Sequence, residues 1–102
     1  MDLPHDPNLV VVDVRNESEY ASGHVDGAIN LPLKDMNDPG QIAMLPENGN
    51  LYIHCGGGYR SIIAASLIKR QGLHNIRNIE GGWNAIKEQK EIKVAQEKSV
   101  LN

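Results

Sequence analysis

The chain has no phenylalanine, and aromatic residues make up only 4% of its 102 positions, so any core must be built from Ile, Leu, Val and Ala. A single cysteine excludes an internal disulfide. It points to a reducing, cytoplasmic setting, where a lone thiol is either buried filler or a reactive group. Positive charge is in deficit: ten Lys and Arg stand against thirteen Asp and Glu, a net charge of -3. That balance argues against nucleic acid as a partner, because such proteins present a basic field. No apolar run approaches the roughly 20 residues of a membrane span. The opening MDLPHDPNLV has neither the basic start nor the apolar stretch of a signal peptide. The four histidines are scattered and none pairs with a carboxylate at i, i+4, so no metal site is expected.

What is present fits one soluble domain: 40% hydrophobic and 23% charged residues, without repeats or low-complexity tracts. Residues 1–8 read as an irregular lead-in, 9–89 as the domain, and 90–102 as a C-terminal helix extension or a flexible tail. Leu9 to Val14 (LVVVDV) is a β-branched run suited to a strand buried on both faces. Asn16 and Glu19 have capping-box spacing, and Gly23 closes a short helix over Glu17 to Ser22. Further strands are expected at Ala28–Leu31, Leu51–His54 and Ile76–Ile79. Helical turns are expected at Leu33–Met36 and Gln41–Leu45, and longer helices at Ser61–Gln71 and Trp83–Gln89. Strands alternating with helices predict an α/β fold with a mainly parallel sheet.

The segment Cys55-Gly56-Gly57-Gly58-Tyr59-Arg60 stands out. A buried strand delivers Cys55 to the carboxyl edge of the sheet, where open α/β folds bind ligands. Three glycines let the backbone curl and turn its N–H groups inward, and a helix then begins, adding the positive end of its dipole. Arg60 adds a fixed cation. Each effect stabilises a thiolate, a persulfide or an oxyanion. A nucleotide loop is disfavoured, because the Lys-Ser/Thr ending and the G-x-G-x-x-G spacing are missing.

The run His54-Cys55-Gly56-Gly57-Gly58-Tyr59-Arg60-Ser61 resembles the active loop of the rhodanese-like sulfurtransferases. Val12-Asp13-Val14-Arg15 with Glu19-Tyr20, Ser22-Gly23-His24-Val25 and Gly27-Ala28-Ile29-Asn30 resembles the family's N-terminal signature, and Gly81-Gly82-Trp83 its C-terminal one. The resemblance runs from Val10 to Lys87 and implies a three-layer fold, a central mainly parallel sheet flanked by helices. It also implies a sulfur relay through a Cys55 persulfide, cradled by Gly56, Gly57, Gly58, Tyr59 and Arg60, with neither metal nor organic cofactor. The donor would be a small anion such as thiosulfate, or a persulfide, and the acceptor a thiol, cyanide or a protein thiol. Phosphatases on this fold have a loop one residue longer than the four residues, 56 to 59, between Cys55 and Arg60 here. The count favours sulfur over a phosphatase or arsenate reductase.

Several roles stay open on sequence grounds. Arg60 either faces the substrate anion or turns inward to pin the loop through backbone carbonyls. Tyr59 is expected at the mouth of the site. Asp13 with Arg15 is read as a structural ion pair or helix cap, His24 and His54 as packing residues, His5 and His74 as inert, and Trp83 as a core plug. Gly81 and Gly82 are assigned to a tight turn and close packing. The uncharged loop, Arg60 apart, favours a persulfide or protein donor over free thiosulfate. A partner-docking domain without catalysis is the other reading, disfavoured by the intact Cys55. The run from Cys55 to Ser66 also resembles the rhodanese module of metallo-β-lactamase-like fusions, and together with the short lead-in it gives an expectation of a longer multidomain chain.

Overall fold

A computed structural model describes residues 7–57, 59–89 and 92–96. Of the expected lead-in only Pro7 and Asn8 lie within them, in a turn. The first strand, β1 (Leu9–Asp13), grows from the β-branched run and is followed by α1 (Glu17–Ser22), β2 (His24–Val25) and β3 (Ile29–Asn30). A 3-10 turn over Leu33–Asn37 leads to α2 (Pro39–Ile42), which is capped by the Asp38 carboxylate accepting from the Gly40 N–H at 2.9 Å. Then come β4 (Asn50–His54), α3 (Arg60–Arg70), β5 (Ile76–Asn78), α4 (Gly82–Ile86) and β6 (Val94–Ala95).

The main sheet is parallel throughout, in the order β3-β1-β4-β5, with Asp13 opposite His54 in the β1–β4 register. Side chains alternate across it, as strand geometry requires. Val12, Val14, Leu51, Ile53 and Cys55 face one layer, packed with Met36, Ile42, Ala64 and Ile68. Val11 faces the other with Val25, Ala28, Ile79 and Ile86, where Tyr20, Tyr52 and Trp83 add partly buried rings. Helices thus cover both faces, giving the three layers expected. None of the helices among the described residues is long and apolar enough to cross a membrane.

Two differences from the sequence reading have local causes. The Gln41–Leu45 helix is shifted forward into α2, because Asp38 caps the chain at Pro39, a residue preorganised for a helix's first turn. After Gln89 a helix or a loose tail was expected; within residues 92–96 the chain instead pairs β6 with β2, Val94 opposite Val25 and Ala95 opposite His24. The Asp26 N–H donates to the Lys93 carbonyl at 2.8 Å and extends that pairing.

Candidate functional site

Cys55 follows the last residue of β4 and is only 1% exposed, within the apolar cluster that also holds Ala64 and Ile68 of α3. The next turn of chain is held by α4. The Trp83 N–H donates to the Cys55 carbonyl at 2.6 Å, and the Asn84 N–H to the Gly56 carbonyl at 3.2 Å. All described peptide bonds are trans, so the N–H of each peptide points opposite to its carbonyl. Tying the Cys55 and Gly56 carbonyls to α4 therefore aims the Gly56 and Gly57 N–H groups away from α4.

This approach is possible only because Gly82 has no side chain. Its φ is +55°, and a Cβ built there would lie 2.8 Å from the Gly56 carbonyl oxygen and closer still to that of Cys55. The close-packing role expected of Gly82 is thus located at the turn that follows Cys55. Gly57 has no atom within 4 Å of a hypothetical Cβ, so its position is open. Gly58 lies outside the described residues, as does His5.

Arg60 is engaged by a carboxylate from α1, a partner that neither expectation for it included. Its Nη1 donates to Glu19 Oε1 at 2.8 Å and its Nη2 to Glu19 Oε2 at 3.1 Å, a bidentate pair joining the start of α3 to α1. The same Nη2 lies over Gly56, 3.1 Å from where a Cβ would stand. The pair lowers the Glu19 carboxyl to about 2, chiefly through the Arg60 hydrogen bond. Arg60 is raised in turn, first by Glu19 and in smaller part by the adjacent Cys55 sulfur. Glu19 Oε1 also accepts from the Asn16 N–H at 3.0 Å. Capping-box spacing gave Glu19 a role at α1 and concealed this second one, whose partner lies 41 residues away. Tyr59 stands at the N-cap of α3 and is 77% exposed.

Behind Cys55, on the opposite face of the sheet, lies a buried polar group. Arg15 Nε and Nη2 donate to the Asp13 carboxylate at 2.9 and 2.7 Å, and Nη2 also donates to the Gly23 carbonyl at 2.6 Å. The guanidinium carbon lies 4.6 Å from the centroid of the Trp83 ring. His54 is fully buried beside them; its Nδ1–H donates to the Cys55 carbonyl at 3.2 Å, and Nε2 sits 3.7 Å from Asp13 Oδ2 without a hydrogen bond. Burial pushes the His54 imidazole below its ordinary value, against an opposing pull from Asp13. His24 stacks on Tyr20, ring centroids 3.7 Å apart, and its Nδ1–H donates to the Tyr20 carbonyl at 2.6 Å. Asp13 and Arg15 thus form the structural ion pair expected of them, and His24 and Trp83 pack as expected. Among the described residues, no three His, Cys, Asp or Glu side chains are grouped to hold a metal ion.

Comparison with known proteins agrees with this architecture. A model of the rhodanese-like domain matches residues 1–89. The tRNA uridine(34) hydroxylase of Erwinia tasmaniensis is 36% identical over 81 residues, covering 76% of this chain and 23% of the hydroxylase. A Bacillus subtilis protein provisionally named as the sulfur carrier YrkF is 35% identical over 77 residues, covering 76% of this chain and 40% of YrkF. The chain therefore spans well under half of either relative. Among solved structures, the rhodanese-like domain of an Anabaena protein superposes with a TM-score of 0.76 at 25% identity, over 89% of this chain and 67% of that one. A rhodanese-related protein from Thermoplasma volcanium gives 0.75 at 29% identity, over 88% and 86% of the respective chains. With a family model matching residues 1–89 and rhodanese-like structures superposing over most of its length, the chain belongs to the rhodanese-like domain family.

Proposed function

We propose that the protein is a sulfurtransferase that carries sulfane sulfur as a persulfide on Cys55. The observation that supports this most is the placement of the lone cysteine. Cys55 directly follows a buried strand and lies beside Arg60, and its own carbonyl and that of Gly56 are drawn toward α4. Backbone N–H groups turned to the other side suit a bound anion. In the first step the Cys55 thiolate attacks the sulfane sulfur of a donor. From thiosulfate, the S–S bond breaks and sulfite leaves with the bonding pair. From a persulfide, the parent thiolate leaves. In the second step a thiol, cyanide or a protein cysteine attacks the outer sulfur and restores the Cys55 thiolate. Gly56, Gly57, Gly58 and Tyr59 would supply the cradle and its rim.

The relatives named as tRNA hydroxylases are far longer than the matched segment, which is 23% of the Erwinia protein, so their named activity is carried by a chain with much else in it. The relative named as a sulfur carrier supports the reading for the module alone. Intact-protein mass after incubation with thiosulfate or glutathione persulfide tests it. Wild type should gain one sulfur, about 32 Da, and Cys55→Ser none. Folded, reduced protein that gains nothing from either donor would overturn the assignment in favour of a docking domain.

A further inference from the structure

We propose that Glu19 is a specificity-determining residue of the Cys55 site, withholding Arg60 from doubly charged donors and so favouring persulfides over thiosulfate. The inference rests on the sulfur-transfer reading and deepens it. Arg60 is the one charged residue in the loop from Cys55 to Arg60. Both of its terminal nitrogens are engaged by Glu19, at 2.8 and 3.1 Å, in the fork geometry that matches a carboxylate best. A guanidinium held this way brings its counter-charge with it. A thiosulfate dianion approaching Cys55 therefore meets an ion pair of zero net charge rather than a free cation. A persulfide carries at most one charge on its reacting sulfur and has no sulfonate to accommodate.

The rim of the loop agrees. Tyr59, Ile62 and Ile63, spaced i, i+3, i+4 along the first turns of α3, are 77%, 61% and 45% exposed. They present an apolar border that suits the carbon framework of an organic donor better than a hydrated inorganic dianion. Glu19 is also held from its other side, since Oε1 accepts from the Asn16 N–H. The carboxylate is thereby fixed where it meets Arg60, and swinging away to free the guanidinium would break the α1 cap as well.

The test measures the rate of persulfide loading on Cys55 from sodium thiosulfate and from 2-hydroxyethyl persulfide, whose carbon framework carries no charge, in wild type and in Glu19→Gln. Glutamine keeps an oxygen for the Asn16 N–H, removes the charge, and replaces the oxygen facing Arg60 Nη2 with an amide donor, so the bidentate hold on the guanidinium is broken. Loading from thiosulfate should rise about tenfold in the variant, mostly through a lower KM, with persulfide loading changed by less than about twofold. Ionic strength supplies a readout that a structural role alone would not move. Between about 0.02 and about 0.3 M salt, thiosulfate loading should stay nearly flat in wild type and fall several-fold in Glu19→Gln. Equal changes for both donors, or no gain with thiosulfate, would overturn the proposal. A steep salt dependence in wild type would do the same without recourse to any variant, by showing that Arg60 meets the dianion despite Glu19. Failure of both donors to load wild-type Cys55 removes the sulfur-transfer reading itself, and that outcome is distinct from the others.

Discussion

Replacing Gly82 with alanine tests whether α4 clamps the loop that follows Cys55. Two costs arise at this position and they can be separated. The first is conformational: φ is +55°, where an L side chain costs roughly 1–2 kcal/mol. The second is steric, because the new Cβ would overlap the Cys55 carbonyl oxygen and stand 2.8 Å from that of Gly56, both backbone atoms that cannot rotate aside. Forcing such atoms apart typically costs about 1–3 kcal/mol. It also stretches the Trp83-to-Cys55 and Asn84-to-Gly56 hydrogen bonds, each worth about 1 kcal/mol net. Gly82→Ala should therefore lose about 4 kcal/mol, a fall in Tm of about 15–30 °C for a domain of this size. Gly27→Ala supplies the control. Its φ is +82° with no atom within 4 Å, so only the conformational cost of roughly 1–2 kcal/mol applies. Urea titration and calorimetry of both variants, with persulfide loading measured where each is still folded, decide the matter. The reasoning is refuted if the two variants lie within about 0.5 kcal/mol of each other, or if folded Gly82→Ala loads sulfur at the wild-type rate.

Other consequences follow from the charges buried near the site. Asp13→Ala leaves the Arg15 guanidinium buried without its carboxylate and should cost about 3–5 kcal/mol in urea unfolding; a loss under about 1 kcal/mol would show that water reaches it. Glu19, lowered from 4.5 to about 2, adds stability that is fully present above pH 4.5 and lost as pH falls toward 2. Thermal melts should accordingly show the deficit of Glu19→Gln shrinking across that window, by a modest amount because the pair is partly exposed. His54 is held below its ordinary 6.5 by burial, so its contribution is present above pH 6.5 and is lost as pH falls through the lower folded value. Its imidazole resonances should show no protonation step at 6.5 in the folded protein; a normal titration would contradict its burial.

The main sheet was largely legible in the sequence because its strands carry dense local signals. Leu9–Val14 and Leu51–His54 are apolar runs ended by turn residues, and α3 repeats apolar positions at helical spacing. What escaped was long-range and short in extent. Strands β2 and β6 are two residues each, too brief for any period to register, and their pairing brings Val25 against Val94. The Glu19–Arg60 pair was hidden for a related reason. Each residue already had a sufficient local explanation, one as an N3 cap residue and one as the loop's cation, and a single sequence carries no signal for contact across α1 and α3. Gly82 was assigned to close packing, yet the atom it admits, the Cys55 carbonyl, follows only from where α4 docks.

The same alternation that makes a sheet out of β4 divides the labour around the thiol. Cys55 turns toward the layer of α3, and His54, one residue earlier, turns toward Trp83, Asp13 and Arg15. The sulfur therefore lies in the apolar cluster that holds Ala64 and Ile68, with Arg60 beside it, while Asp13, Arg15 and His54 act on its backbone and the strand behind it. Arg15 fixes the β2 turn through Gly23 and underlies Trp83, whose N–H in turn holds the Cys55 carbonyl. Each link in this chain of contacts constrains the position of one peptide group beside the sulfur. A loop with three consecutive glycines would otherwise be conformationally loose. The buried ion pair and the ring over it thus bear on the carbonyls of Cys55 and Gly56, and with them on the direction of the Gly56 and Gly57 N–H groups, on which the proposed anion cradle rests.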